Sequence, residues 1–325
     1  MKFSIISIAW FIALPVTASP TSPYRQAASR TIFQLSQNGT WFENLAIQQN
    51  GLILATRADA GELWRINPKE GTGQNIFNFT GTDSSLGITE ISQDIFAVIS
   101  GNVDLSAGSV TPGSFLIWKV DTSKGGPPTI STLAKISDAV FPNGATTFDD
   151  DTLLFVDTIK GVIWKVDIST GEYSIALSDA TMLPNGKTPP GINGVKVWKN
   201  YVYYTSSTQQ LFCRIPVDKN VSATGPVEIL AKGFFQDDFI LTPWGQPYIA
   251  TNVNNTIVTV NENGEVKVVA GSNSSLALAG STAIQFDPSD RSYKTLYVTT
   301  TGGLKAPVNG TIVEPAKIVE VTLKY

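Results

Sequence analysis

The sequence predicts an all-β fold: a single six-bladed β-propeller, its ring closed by pairing of the N- and C-terminal strands. Three observations predict it. A unit of roughly 45 residues recurs six times, each unit carries short strand-like runs separated by turn residues, and a polar residue recurs at one phase of several units. A fixed period of this length with several strands per unit marks a propeller, because a lone blade cannot bury its own faces and must stack on its neighbours.

At the N-terminus Lys2 precedes the apolar run 3–16, and Val16-Thr17-Ala18 supplies small residues for a cleavage site. Residues 1–18 therefore read as a signal peptide, 19–30 as a polar linker and 31–325 as the propeller domain. The segment 31–35 is strand-like, and it is expected to complete the last blade beside 318–323 and so remove exposed strand edges. Between them, one set of strand-like segments spans 51–56, 94–100, 152–157, 201–206, 246–251 and 295–300. A second set spans 63–68, 117–121, 163–167, 211–216, 256–260 and 318–321 and ends in turns. Asn-Gly pairs beginning at Asn38, Asn50, Asn185, Asn263 and Asn309 are hairpin-turn signals.

Composition supports one large domain. Of 325 residues 42% are hydrophobic and only 15% charged, and a mature chain of about 300 residues buries roughly three-quarters of its unfolded surface. The net charge of −4 and the lack of a basic run argue against nucleic acid as a partner. No apolar stretch beyond the N-terminus is long enough to span a membrane. Glycosylation sequons at Asn38, Asn78, Asn220, Asn254, Asn273 and Asn309 fit a secreted glycoprotein. The expected state is a monomer that binds small hydrophobic molecules. The single Cys213 has no disulfide partner within the chain and stands where sister units carry Trp64 and Trp118, so it reads as a packed thiol.

Aligned by phase, the units place Glu43, Leu86, Asn143, Asn193, Asp237 and Ser281 just before their apolar runs. Innermost strands run along the channel axis, so equivalent positions form a ring at one mouth. The acids and amides in this ring, Glu43, Asn143, Asn193 and Asp237, are oxygen donors of the kind that hard cations such as Ca2+ prefer. Turn or sheet-end roles remain open for Asn143 and Asn193. A slip of one residue would turn Asp238 inward instead of Asp237.

The chain contains no histidine. This excludes a Ser-His-Asp triad, a Cys-His pair, a His-ligated zinc and a His base. Acid–base work falls to Asp, Glu, Tyr or Lys. No Gly-rich phosphate loop links a strand to a helix, so a nucleotide cofactor is not indicated.

The pattern of Glu43, Asn143, Asn193 and Asp237 resembles the senescence-marker/gluconolactonase superfamily, six-bladed propellers with one divalent metal at the channel mouth. The resemblance implies Glu43, Asn193 and Asp237 as metal ligands, with Asn143 on the substrate side. The segments 41–46, 191–194 and 236–239 are similar to a secreted fungal branch that includes the hetero-Diels–Alderases of tropolone–sesquiterpenoid pathways. Membership of that branch implies joining of a quinone-methide-type heterodiene to a humulene-type alkene, with Glu43, Asn143, Asn193 and Asp237 as catalytic residues and no cofactor required.

One departure from the lactonases bears on substrate. Where they tend to carry an arginine that grips a sugar acid, this chain has Phe141. Trp41, Phe141, Phe235 and Trp244 are expected at the same rim as a substrate-binding surface for a hydrocarbon, the alternative being that they pack between blades. Two other functions stay open: a metal-dependent lactonase and a secreted propeller that binds without catalysis.

Overall fold

A computed structural model describes residues 27–105, 107–186 and 190–324. The expected signal peptide and most of the linker lie outside the described residues. Six four-stranded antiparallel sheets form the blades, with innermost strands Phe42–Ile47, Ser84–Ser92, Pro142–Thr147, Ile192–Trp198, Phe239–Leu241 and Ser281–Phe286. Each innermost strand contacts its two neighbours around the ring, the sixth meeting the first. No helix among the described residues is long and apolar enough to cross a membrane.

The ring closes as expected, with one shift. Ala28–Gln34 pairs antiparallel with Lys317–Thr322, from Ala28 opposite Thr322 to Gln34 opposite Lys317, and Arg30 pairs with Glu320 at 3.0 Å. The strand thus begins three residues inside the expected linker. The reason is local: Ala28 to Thr31 lie on the exposed outer edge, where no apolar alternation marks a strand. The same holds for outer strands such as Thr72–Asn78 and Thr129–Lys135, whose polar sequences gave no strand signal.

Between blades, fully buried side chains such as Phe96, Phe115, Phe155 and Phe212 fill the wedges. Cys213 takes the place of a sister tryptophan, and burial pushes its thiol up to about 12, so it is an inert packing group.

The feature that builds the site is a β-bulge repeated in the innermost strands, between Phe42 and Leu45, Ser85 and Ile88, Pro142 and Ala145, Ile192 and Val195, and Ser281 and Ile284. A bulge sets two residues against one. In blade one both bulge residues, Glu43-Asn44, and in blade five the two residues just before the innermost strand, Asp237-Asp238, which both bond Ala250, reach across the channel at successive depths. In blade four the second position is Gly194, where a Cβ would lie 2.3 Å from Asp238 Oδ1. The bulge also corrects the phase of the sixth unit. Thr282, not Ser281, is equivalent to Glu43, since Ser281 pairs with Thr300 as Phe42 pairs with Arg57. The Thr282 hydroxyl donates to the Phe42 carbonyl at 2.7 Å and stitches blade six to blade one.

Candidate active site at the channel mouth

Each ring residue is aimed by a polar group at the end of a neighbouring strand. The Trp41 N–H donates to Asp59 Oδ1 at 2.8 Å, and Asp59 is itself paired with Arg57. Buried Asp157 accepts from the N–H groups of Val140 at 2.7 Å and Phe141 at 3.1 Å, which fixes the entry to Asn143. Asn193 Nδ2 donates to Ser207 Oγ at 3.1 Å, and that hydroxyl donates onward to the Gln236 carbonyl beside Asp237.

The four expected residues converge. Glu43, Asn143, Asn193 and Asp237 form the floor of a chamber of about 340 Å³. The Trp41 indole N–H donates to Glu43 Oε2, and the Asn143 amide bonds the same carboxyl. Asn252 Nδ2 donates to Asp237 Oδ2 at 2.7 Å, with Asn193 as a second partner. Both carboxyls are buried. Desolvation raises Glu43 from 4.5 to about 7, against the opposing pull of its two hydrogen bonds. Desolvation and then the charge of Glu43 raise Asp237 well above the ordinary carboxylate range. Burial and mutual repulsion favour the protonated form of both acids.

The walls are apolar, with Trp41, Leu86, Phe141, Phe235, Val253 and Leu105 above the floor. Of the expected aromatic rim, Trp41, Phe141 and Phe235 are in place. Trp244 is not. It is 57% exposed and packs edge-on to Tyr293 at 5.6 Å, beside a different hollow lined by Gln246 and Tyr248. It stands in the turn after Phe239–Leu241, so the strand has already carried the chain to the opposite face. The sequon residues Asn38, Asn78, Asn220, Asn273 and Asn309 are exposed, and Asn254 is half-buried.

One layer deeper lies a closed network. Asp238 accepts from Asn44 Nδ2 at 2.8 Å and pairs with Lys196 Nζ at 2.7 Å. The structure therefore turns both consecutive aspartates inward, at different depths, where the sequence had offered one or the other.

Three parts of the site escaped sequence reading. Asn252 lies just past the strand Pro247–Ala250, in the left-handed region at φ 42°, and its Oδ1 has no partner among the described residues. Leu105 belongs to a small hairpin, Val103–Asp104 with Ser109–Val110. Lys305 stands on the loop that joins Thr295–Thr300 to Lys317–Thr322. The available signal was length: these two connections are longer than the tight turns elsewhere.

No family model matches the chain. In sequence it is similar to proteins described as hetero-Diels–Alderases. A "Putative hetero-Diels-Alderase" of a Phoma species is 26% identical over 297 residues, covering 81% of this chain and 84% of the relative. A second protein of that description, from Sarocladium schorii, is 24% identical over 303 residues, covering 81% and 75%. In fold the chain is similar to a luciferin-regenerating enzyme at TM-score 0.66, 11% identical, covering 91% of this chain and 95% of that one. It is also similar to a calcium-binding regucalcin of Agrobacterium tumefaciens (TM-score 0.63, 14% identical, 92% and 96% covered). A gluconolactonase of Xanthomonas campestris aligns at TM-score 0.63 with 10% identity, over 93% and 92%.

Among the described residues no group of three or more His, Cys, Asp or Glu is placed to hold a metal. The floor instead offers two carboxylates with the amide oxygens of Asn143 and Asn193, and the unpartnered Asn252 Oδ1 beside Asp237. An all-oxygen set with two repelling carboxylates fits a hard cation such as calcium. A cation and a shared proton are alternative ways to neutralise the same pair.

Proposed function

We propose that the chain is a hetero-Diels–Alderase of secondary metabolism. It joins a quinone-methide-type heterodiene, made from a tropolone, to the alkene of a humulene-type sesquiterpene. The observation that carries this reading is an apolar chamber set directly on a buried pair of carboxyls, both shifted toward the protonated form. The description of its curated relatives supports it.

The proposed sequence is dehydration followed by cycloaddition. In a hydroxymethyl precursor, the C–O bond breaks and its electron pair leaves on oxygen, which takes the proton of Glu43 and departs as water. The neighbouring enol oxygen becomes a carbonyl as its own proton passes to Asp237, so the pair ends as it began, with one proton. Asn143 and Asn193 hydrogen-bond the oxygens at the floor. The alkene then closes on the heterodiene: one new bond forms to the methylene carbon and one to the carbonyl oxygen, giving a dihydropyran. The apolar walls hold the partners face to face, and such pairing supplies up to ~7–11 kcal/mol of the barrier. No histidine is needed at any step.

A specific observation favours a second reading, the metal-dependent lactonase. Glu43, Asn193 and Asp237 are the residues that would hold the cation, which when bound supplies an activated water and polarises a lactone carbonyl. Phe141, at the wall, gives a sugar acid no charge to bind.

The test is incubation of purified protein with a tropolone-type hydroxymethyl precursor and a humulene-type alcohol. The expected result is a single stereoisomer of the dihydropyran, formed well above background and insensitive to chelator. A background yield, together with metal-dependent hydrolysis of aldonolactones, replaces this reading with the second. Passage through the secretory pathway with N-glycosylation belongs to the same proposal, supported by the exposure of five sequon asparagines. It is checked by a mobility shift on deglycosylation.

A further inference from the structure

Lys305 has no part in the reaction as derived so far, yet it stands over the reacting floor. Its loop is tightly built. Gly302, at φ +68°, approaches so closely that a Cβ would lie 1.7 Å from the Glu314 carbonyl. The Glu314 N–H closes the loop on the Gly302 carbonyl at 3.0 Å, and Val308 N–H bonds the Ile312 carbonyl at 2.9 Å. Leu304 packs into the apolar cluster that contains Trp41 and Leu86. The following side chain is thereby carried to the chamber. Lys305 Nζ lies 5.5 Å from the centre of the Trp41 ring, and its charge acts on Glu43.

The ammonium is under-used. Among the described residues it makes one hydrogen bond, 3.3 Å to the Leu105 carbonyl, and it has no carboxylate within 4.0 Å. An ammonium carries three donors. It is the single cation among the described residues that line the chamber, whose walls are mostly apolar, with Asp104 and Thr208 as further polar lining residues above the floor. A hydrocarbon gains nothing from a cation so placed, and covering it with one carries a desolvation cost. An oxygen that bears or develops negative charge gains a charge-assisted bond.

We infer that Lys305 is the oxyanion-binding residue of the chamber, taking the acidic enol oxygen of the heterodiene precursor and so deciding which way round that partner lies. The inference rests on the cycloaddition reading for its substrate class. Held there, the oxygen keeps a positive neighbour while its proton leaves, and again when the alkene pushes electron density back onto it during ring closure. The sesquiterpene partner, having no such group, is left to the aromatic wall.

The test uses the whole purified protein and two probes, tropolone as its anion and its methyl ether, 2-methoxytropone, with binding read by quenching of tryptophan fluorescence. Wild type is expected to bind the anion more tightly than the ether. Lys305→Met is expected to weaken the anion by about 10–100-fold, the range for a hydrogen bond to a charged group, with the ether unchanged. Lys305→Arg is expected to restore most of the anion affinity. Absence of anion binding by wild type, or equal loss of both probes in Lys305→Met, overturns the inference. Turnover separates it from the reaction reading. Lys305-dependent anion binding with no cycloadduct sinks the reaction and leaves the subsite. A Lys305→Met enzyme with wild-type rate and product orientation sinks the subsite and leaves the reaction.

Discussion

Asp237 and Asp238 are neighbours in sequence, both buried and both turned into the channel, yet they live in opposite electrostatic worlds. Asp238, 3% exposed, meets the Lys196 ammonium, the Asn44 amide and the Phe239 N–H. Asp237, 4% exposed, meets amides and feels a second acid, Glu43, with no ammonium in contact among the described residues. The first arrangement satisfies a charge; the second leaves one unsatisfied. A buried charge that is paired is satisfied where it stands, whereas a buried pair of like charges favours keeping a proton and so has one to give. The layer with the deficit is the one under the apolar chamber.

The largest expected effect separates the two layers by activity. Glu43→Ala or Asp237→Ala should lower turnover by about 10²–10⁴-fold, with melting temperature held or raised because a desolvated acid is gone. Steady-state kinetics beside a thermal melt checks this, and near-wild-type turnover in both variants breaks the comparison.

Next is the paired layer. Lys196→Met strands Asp238 without its cation and should cost about 3–5 kcal/mol of stability. Adding Asp238→Asn should recover most of it. Urea unfolding of the single and double variants measures both. Equal losses in the two would mean that packing, rather than charge, carries the layer.

The third concerns pH. The native state holds the Glu43 proton up to about 7, while the unfolded chain releases it near 4.5. Between these values the native state binds more protons, so stability falls as pH rises, by about 3 kcal/mol in metal-free protein. Asp237, raised for the same cause, acts in the same direction. Unfolding at pH 5 and pH 8 should show the fall in wild type and a flatter profile in Glu43→Gln.

The smallest effect divides the aromatics. Phe141→Ala should raise KM and loosen product selectivity, and Phe141→Arg should be worse, because a guanidinium would be desolvated against a hydrocarbon. Trp244→Ala, on the opposite face, should leave both unchanged. Product analysis by chiral chromatography distinguishes them, and a selectivity loss in the Trp244 variant would return that residue to the site.

Much of this was legible in the chain. The blade count, the closure and the convergence of Glu43, Asn143, Asn193 and Asp237 follow from a period and a phase, which burial enforces on every unit. What the sequence hid depended on geometry without periodicity. The pairing of both Asp237 and Asp238 with Ala250, which turns the two inward, reads in sequence as a choice between them, and the bulge of the sixth blade moved its position from Ser281 to Thr282. Trp244 was misplaced because nearness along the chain to Asp237 is not nearness in space once a strand has crossed the blade. Lys305 and Asn252 sit on irregular connections, where no pattern signals direction.

The most direct measurement of the central claim is the rate of dihydropyran formation as a function of pH. If Glu43 gives a proton while Asp237 takes one, the wild-type rate falls as pH rises through about 7 and falls again in acid as Asp237 becomes protonated, while Glu43→Gln is slow throughout. A wild-type rate that is flat from pH 5 to pH 9, or a Glu43→Gln enzyme as fast as wild type, contradicts the account.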